Sequence, residues 1–291
     1  MNKHFLNLKE YGPTKVRELV YAAHELKKGS HHGNLDGKYL ALIFEKSSTR
    51  TRLSFEVAMN QLGGKASFLS VKDLQLGRGE PISDTSRVIS SMADAIVLRA
   101  LKHSTLEEFV ASSSVPIING LTDLSHPCQL LADMLTFIEH KGSIENKKVC
   151  WVGDCNNVCY SYMEAAEIFN FKLIIVCPDE YQPKDIKLNN NVELTNSIDI
   201  GLKDADLVTT DVWVSMGDEK DSKRRLSSFS DYQISPTVMD KAKGDAIFLH
   251  CLPAVRGQEI SIDMLDDPRS KVWKQAENRL HAQKSLLLSL L

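Results

Sequence analysis

Residues 39–69 (YLALIFEKSSTRTRLSFEVAMNQLGGKASFL) decide the fold class, because they place a helical pattern between two apolar runs. The first run, Tyr39–Phe44, is continuous, which is typical of a strand covered on both faces. The second run, Ala66–Leu69, follows a glycine pair of the kind that ends helices. Four residues between the runs have the i, i+3, i+4, i+7 spacing of one helix face: Phe55, Ala58, Met59 and Leu62. The stretch therefore predicts a strand, a helix and a second strand in succession.

Apolar runs and helical patterns alternate in the same way along the whole chain. This alternation predicts an α/β fold in which mainly parallel sheets are flanked by helices. The predicted strands are Tyr39–Phe44, Ala66–Leu69, Ala95–Arg99, Pro116–Asn119, Val149–Val152, Leu173–Cys177, Ala205–Thr210 and Ala246–Cys251.

The chain has 291 residues, which at about 150 residues per domain predicts two domains. The pattern breaks at residues 140–143 (HKGS), after a helix predicted from about Cys128 to Glu139. We therefore expect two similar-sized α/β domains, 1–140 and 141–272, with about four strands each. The leucine-rich tail predicts the buried end of a C-terminal helix over 273–291, and we expect this helix to return to the first domain.

The composition argues against several classes of protein. Hydrophobic residues make up 43% and charged residues 25% of the chain, which is ordinary globular usage. The net charge of -3 argues against a nucleic-acid or anionic-membrane partner. Neither a signal-peptide core nor a bilayer-length apolar run is evident, so we expect a cytoplasmic protein. The six cysteines form no Cys-x-x-Cys pair and are expected to be buried free thiols rather than a metal site.

The segment after the first predicted strand carries the strongest binding signal. Ligands of open α/β sheets bind beyond the carboxyl ends of the strands. Ser48, Thr49, Arg50 and Thr51 follow Phe44 at a strand-to-helix turn, where backbone N–H groups, hydroxyls and a guanidinium can meet one anion. The alternative is an ordinary helix cap with solvated arginines, but two arginines and three hydroxyls within residues 48–52 favour a phosphate site. Neither a P-loop nor a dinucleotide-binding glycine motif is present.

Other strand ends carry residues whose roles stay open at this point. Arg99 and His126 are either an ion-pair residue and a structural histidine, or donors that polarise a carbonyl beside the phosphate. Asp211 is either a turn residue or a partner for an ammonium group. Cys251 on its position alone is more typical of a small buried residue.

Four segments together resemble the signature segments of the ornithine carbamoyltransferase family. They are residues 44–52 (FEKSSTRTR), 126–129 (HPCQ), 211–217 (DVWVSMG) and 250–254 (HCLPA), in the family's order and across nearly the whole chain. The first two segments are shared with aspartate carbamoyltransferases. The last two are typical of the ornithine branch, because the aspartate branch usually has proline where Cys251 stands.

The resemblance implies two substrate sites and no metal or organic cofactor. The residues implied for carbamoyl phosphate are Ser48, Thr49, Arg50, Thr51, Gln75, Arg99, His126, Gln129 and Arg279. The residues implied for ornithine are Asn157, Asp211, Ser215, Met216, Cys251 and Leu252. Arg99, His126, Asp211 and Cys251 are the implied catalytic residues. The family also implies a cytoplasmic homotrimer with sites near subunit interfaces, and two domains that close on the substrates with the polar stretch 216–225 as a mobile closing segment.

The expected reaction is attack by the δ-amine of L-ornithine on the carbonyl carbon of carbamoyl phosphate, which gives citrulline and phosphate. Two alternatives stay open from sequence. One is a carbamoyltransferase for another amine, such as putrescine or an acylated ornithine. The other is a catalytically idle anion-binding or scaffold protein, against which the complete set of arginines, His126 and Cys251 argues.

Overall fold

The computed structural model describes residues 4–29, 33–75, 79–183, 188–215 and 219–291. The chain divides into two compact units: unit 1 is Met1–Leu135 with Glu277–Leu291, and unit 2 is Thr136–Ala276. Two helices, Pro127–Lys141 and Val272–Leu290, run through the divisions between the units. The domain limits 1–140, 141–272 and 273–291 therefore stay predictions.

Unit 1 contains a four-stranded parallel sheet. Its strands are β1 (Tyr39–Phe44), β2 (Lys65–Ser70), β3 (Ala95–Arg99) and β4 (Ile117–Leu121), in the order β2-β1-β3-β4. The helices begin with α1 (Leu8–Tyr11), α2 (Pro13–Lys27) and α3 (Thr49–Gln61), followed by α4 (Ile82–Ser90), α5 (His103–Ser112) and α6 (Pro127–Lys141). All residues of β3 are buried, as the continuous apolar run predicts for a strand covered on both faces.

Unit 2 contains a five-stranded parallel sheet. Its strands are β5 (Lys148–Val152), β6 (Lys172–Val176), β7 (Val192–Thr195), β8 (Leu207–Thr210) and β9 (Ile247–His250), in the order β7-β6-β5-β8-β9. Its helices are α7 (Asn157–Phe169), α8 (Ile198–Leu202), α9 (Ser222–Ser228) and α10 (Pro236–Met239). One core cluster contains Val152, Val208 and Phe248, from three neighbouring strands.

Two expectations for unit 2 were wrong. The sheet has five strands where about four were expected, because β7 is a four-residue edge strand (VELT) with one buried residue and no apolar run. The polar stretch 216–225 was expected to be a loop, but its described part contains a 3-10 turn, Glu219–Asp221, and the first residues of α9. Arg225 of α9 pairs with Asp154 (Nη1–Oδ2, 2.9 Å), a partner that is distant in sequence. Residues 216–218 lie outside the described residues.

The C-terminal helix, α11 (Val272–Leu290), packs on unit 1, which confirms that expectation. The Ser285 hydroxyl donates to the carbonyl of Leu19 in α2 at 2.8 Å, and Leu286 and Leu287 are fully buried. The ammonium of Lys27 donates to the side-chain carbonyl of Asn278 at 2.7 Å. Across the described residues, α11 included, we find no helix with the length and apolarity needed to cross a membrane.

Candidate active site

The N-terminus of α3 is built by a serine cap. Ser48 has an extended backbone (φ -155°, ψ 108°), and its hydroxyl accepts a hydrogen bond from the backbone N–H of Thr51 at 3.2 Å. This is the usual N-cap arrangement, so the cap interpretation is correct for Ser48. The cap also places Thr49, Arg50 and Thr51 in the first turn of a 13-residue helix, where the helix dipole favours anions.

Arg279 joins this turn to the first turn of α6. It lies on α11 and is 2% exposed. Its guanidinium donates to Gln129 Oε1 at 2.8 Å and to Thr51 Oγ1 at 3.2 Å. The other end of the Gln129 amide donates to the carboxylate of Asp133 at 2.8 Å. Asp133 was not identified from sequence, although it lies one helical turn after Gln129 on the same face.

His126 lies beside the arginines between β4 and α6. Its side chain is 5% exposed, and its pKa is well below the usual 6.5. Burial is the largest cause of the lowered pKa, followed by the positive charges of Arg279, Arg99 and Arg50. The imidazole is therefore neutral at pH 7. We call Arg50, Arg99 and Arg279 the cation cluster; together with the neutral His126 beside it, the cluster is complementary to a small anion that carries a carbonyl group.

Two of the side chains predicted for this site are exposed. Gln75 is exposed, and its backbone carbonyl accepts a hydrogen bond from the N–H of Glu80. Thr49 is also exposed. The side chains of Gln75 and Thr49 take part in none of the contacts described above for unit 1. Their roles stay predictions.

Asp211 is the centre of a second cluster, in unit 2. It follows β8, and its Oδ2 accepts a hydrogen bond from the side-chain amide of Asn156 at 2.8 Å. Its Oδ1 accepts from the thiol of Cys251 at 3.0 Å and from the backbone N–H of Val212 at 2.8 Å. The adjacent strands β8 and β9 bring Asp211 and Cys251 together. We call Asn156, Asp211 and Cys251 the Asp211 cluster; its carboxylate is suited to a cationic amine.

Asn156 follows β5 but was not among the residues predicted for ornithine, which included its neighbour Asn157 instead. Asn156 is the N-cap of α7, and its side-chain oxygen accepts from the backbone N–H groups of Val158 and Cys159 at 3.0 and 3.2 Å. The available signal was the preference of asparagine for N-caps. The neighbouring Asn157 is the first residue of α7 and is half-buried, as are Ser215 and Leu252. Met216 lies outside the described residues.

Within the described part of the chain, Asp211, His250 and Cys251 form a group with the spacing of metal ligands, since their ligand atoms lie within 4.8 Å of one another. The Nδ1 atom of His250, however, accepts from the backbone N–H of Leu252 at 2.9 Å, and its Nε2 atom contacts Glu259 at 3.2 Å. A metal would have to displace one of these hydrogen bonds.

The remaining five cysteines are buried and free, and burial raises the pKa of Cys128 to about 12.

Two family models match the chain in succession. The model for the carbamoyl-P binding domain of aspartate/ornithine carbamoyltransferase matches residues 3–139, and the model for the Asp/Orn binding domain matches residues 145–290. Together with the parallel sheets and the two clusters, these matches define a carbamoyltransferase. The chain belongs to the aspartate/ornithine carbamoyltransferase family.

Named relatives cover almost the whole chain. An ornithine carbamoyltransferase of Psychrobacter sp. (strain PRwf-1) is 53% identical over 99% of this chain and 97% of its own length. An anabolic ornithine carbamoyltransferase 1 of Pseudomonas savastanoi pv. phaseolicola is 52% identical over 98% of this chain and 95% of its own. The solved ornithine carbamoyltransferase of Pyrococcus furiosus superposes with a TM-score of 0.91 at 44% identity, covering 98% of this chain and 95% of that one.

Proposed function

We propose that the protein is an ornithine carbamoyltransferase, which transfers the carbamoyl group of carbamoyl phosphate to the δ-amine of L-ornithine. The observation that carries the proposal is the hydrogen bond from Cys251 to Asp211 at 3.0 Å. It places the thiol that is typical of the ornithine branch against the carboxylate suited to an amino acid's ammonium group. Relatives that are about half identical to this chain are named as ornithine carbamoyltransferases, which supports the same substrate.

The cation cluster and its neighbours would hold carbamoyl phosphate. In this proposal Ser48, Thr49, Arg50 and Thr51 bind the phosphate, and Arg99, His126 and Gln129 bind the carbamoyl group. Arg279 and Gln75 complete the set. Because His126 is neutral, its imidazole donates a hydrogen bond to the developing oxyanion without adding a fourth positive charge. One well-placed donor of this kind contributes about 3 to 4 kcal/mol.

The Asp211 cluster would hold ornithine. Asn157, Asp211, Ser215 and Met216 bind the amino-acid part in this proposal, and Cys251 and Leu252 line the path of the δ-amine. An amine with a pKa of about 10.4 is protonated at pH 7, and its deprotonation costs about 4 to 5 kcal/mol. The leaving phosphate can accept the proton that the amine loses. Asp211 and Cys251 then orient the amine for attack.

We also propose that the enzyme is a cytoplasmic homotrimer of arginine biosynthesis, with its sites near subunit interfaces. The relative named as anabolic supports the biosynthetic direction. Light scattering at assay concentration tests the assembly, and a mass near three chains of 32.6 kDa is expected.

Citrulline formation tests the proposed function. Purified protein is given carbamoyl phosphate with L-ornithine, L-aspartate or putrescine as acceptor, and both the carbamoylated product and phosphate are measured. Turnover with ornithine alone is expected, with inhibition by norvaline, which keeps the amino-acid part but lacks the δ-amine. Turnover with putrescine, which has no carboxylate, would identify the other amine class. Absence of product with all three acceptors would support the scaffold alternative.

A further inference from the structure

The segment that follows β9 contains a buried carboxylate that the proposed mechanism does not use. Glu259 is fully buried, and so is its partner His250. One carboxylate oxygen, Oε1, contacts His250 Nε2 at 3.2 Å and accepts a hydrogen bond from the backbone N–H of Val255 at 2.5 Å. A buried carboxylate is costly unless it makes such bonds, so the pairing determines where this segment can lie.

The contacts of His250 determine which of its nitrogens carries the proton. Nδ1 accepts a hydrogen bond from the backbone N–H of Leu252 at 2.9 Å, so Nδ1 has no proton. The ring proton is then on Nε2, which donates a hydrogen bond to Glu259 Oε1. The backbone N–H of His250 donates to Gln275 Oε1 at 3.0 Å. The two ring nitrogens of His250 therefore link the carboxylate of Glu259 to the backbone N–H of Leu252.

Leu252 needs this constraint because its backbone is strained. Its φ is +55°, in the left-handed region that side chains with a Cβ rarely adopt. Such a conformation persists only where surrounding contacts impose it. Cys251 lies between His250 and Leu252, so the same contacts fix the backbone on both sides of the thiol that donates to Asp211.

We propose that Glu259 is a positioning residue for ornithine: it orients Cys251 and Leu252 through His250 and through the N–H of Val255. This inference rests on the proposed function for its kinetic readout. It assigns Glu259 no contact with substrate. It predicts that the acceptor oxygen of residue 259, rather than its negative charge, sets the geometry of Cys251.

Four variants test the proposal. Glu259→Ala removes the acceptor, Glu259→Asp withdraws it by one methylene, and Glu259→Gln keeps an acceptor oxygen without the charge. Asp206→Asn is the matched control, because Asp206 is another buried carboxylate of unit 2, paired with Lys243 Nζ at 2.7 Å and accepting from the N–H of Lys148. Asp206 directly precedes β8, whereas Asp211 directly follows it.

Steady-state kinetics give the first readout. Glu259→Ala and Glu259→Asp should raise the KM for ornithine about tenfold, which corresponds to about 1.4 kcal/mol, and leave the KM for carbamoyl phosphate within about twofold. Glu259→Gln should keep the KM for ornithine within about threefold of the parent. Asp206→Asn should lower the unfolding temperature and change neither KM. If Glu259→Ala does not fold, Glu259→Asp is the deciding variant, and an unchanged KM for ornithine in that variant would overturn the proposal.

Alkylation of Cys251 gives a readout that is independent of turnover. Cys251 is half-buried while the other five cysteines are buried, so iodoacetamide with peptide mass mapping should label Cys251 first in the folded protein. Glu259→Asp should change the labelling rate of Cys251 at least about threefold, because the thiol loses its fixed bond to Asp211. An equal rate in the parent and in Glu259→Asp would contradict the proposal. If the parent makes no citrulline but Glu259→Asp still changes the labelling rate, the proposed function is refuted, while the role of Glu259 in positioning Cys251 is retained.

Discussion

Arg50 and Arg52 lie two positions apart in α3 but have different surroundings. Arg50 is half-buried and close enough to His126 to help lower the pKa of that histidine. Arg52 pairs with Glu56 at 3.1 Å, and its guanidinium lies over the ring of Phe68 at 4.0 Å. From the sequence alone, both arginines count toward the phosphate site. The structure assigns only Arg50 to the cation cluster, while Arg52 has the solvated role that the alternative interpretation described.

Arg50→Ala should therefore inactivate the enzyme without unfolding it. We expect a loss of kcat/KM of about 10²- to 10³-fold with carbamoyl phosphate, because one charge-assisted donor to the leaving group is removed. The matched control is Arg52→Ala, which should keep kcat/KM within about threefold, since exposed ion pairs contribute little. The measurements are citrulline formation and a thermal melt of each variant. Near-normal turnover of Arg50→Ala would refute a phosphate-binding role for this turn.

Single residues of the candidate site were predictable where they end a strand or directly follow one. Arg99 ends β3, and Asp211 and Cys251 follow β8 and β9, so the rule for parallel sheets identifies them. The sequence did not predict roles for Asn156 and Glu259, because those roles depend on hydrogen bonds that form only in the folded chain. Asn156 meets Asp211 across 55 residues of sequence, and this pairing has no local signal. Glu259 acts through His250 and through backbone groups that only the folded segment brings near.

At the scale of elements, the N-terminus of α7 combines a structural cap with a hydrogen bond to Asp211. The Asn156 side chain caps the helix with its oxygen and holds Asp211 with its amide nitrogen. The start of α7 and the orientation of Asp211 are therefore set by one side chain. A cap elsewhere in unit 2 is Ser235 at the start of α10; among the described residues, its side chain bonds only its own helix, by accepting from the N–H of Val238 at 3.2 Å.

Asn156→Ala should affect both stability and ornithine use. Loss of the cap should lower the free energy of unfolding by about 1 kcal/mol. Loss of the bond to Asp211 should lower kcat/KM for ornithine at least about tenfold, because hydrogen bonds to charged groups contribute about 1.5 to 3 kcal/mol. Ser235→Ala should show only the first effect. Urea unfolding measures the loss of stability, and ornithine titrations measure the change in kcat/KM. Equal kcat/KM values in Asn156→Ala and Ser235→Ala would show that the contact with Asp211 is dispensable.

The elements themselves were predictable to different degrees. Buried strands such as β1 and β3 coincide with their apolar runs, because burial on both faces leaves a continuous hydrophobic signal. The edge strand β7 has one buried residue and gives almost no such signal. Helix α9 lies in a polar segment and contacts the rest of unit 2 through the ion pair of Arg225 with Asp154. Such a pairing between distant residues cannot be predicted from local helix propensity.

At the scale of the whole molecule, the stability should depend on the buried neutral histidine. The pKa of His126 is lowered in the folded protein, whereas the unfolded chain binds this proton near pH 6.5. Below pH 6.5 the unfolded state therefore binds more protons than the folded state. The free energy of unfolding must then decrease as the pH falls from about 6.5 toward the folded pKa, by up to about 1.4 kcal/mol per pH unit.

Urea unfolding between pH 7 and pH 5.5 measures this dependence. His126→Gln should flatten the decrease by up to about 1.4 kcal/mol per pH unit, because the titrating group is gone. His140→Gln removes an exposed histidine and is the matched control, which should keep the slope of the parent. Identical slopes in the parent and in His126→Gln would mean that the proton of His126 does not contribute to the acid sensitivity of the fold.

The position of Arg279 has a consequence for biosynthesis of the protein. Thr51 and Gln129 are made early, yet the guanidinium that joins them belongs to α11 and is translated only after all of unit 2. A growing polypeptide on the ribosome can thus form the first sheet before Arg279 is present to link Thr51 and Gln129. Under the proposed function, full affinity for carbamoyl phosphate therefore requires α11 to have been translated and docked on unit 1.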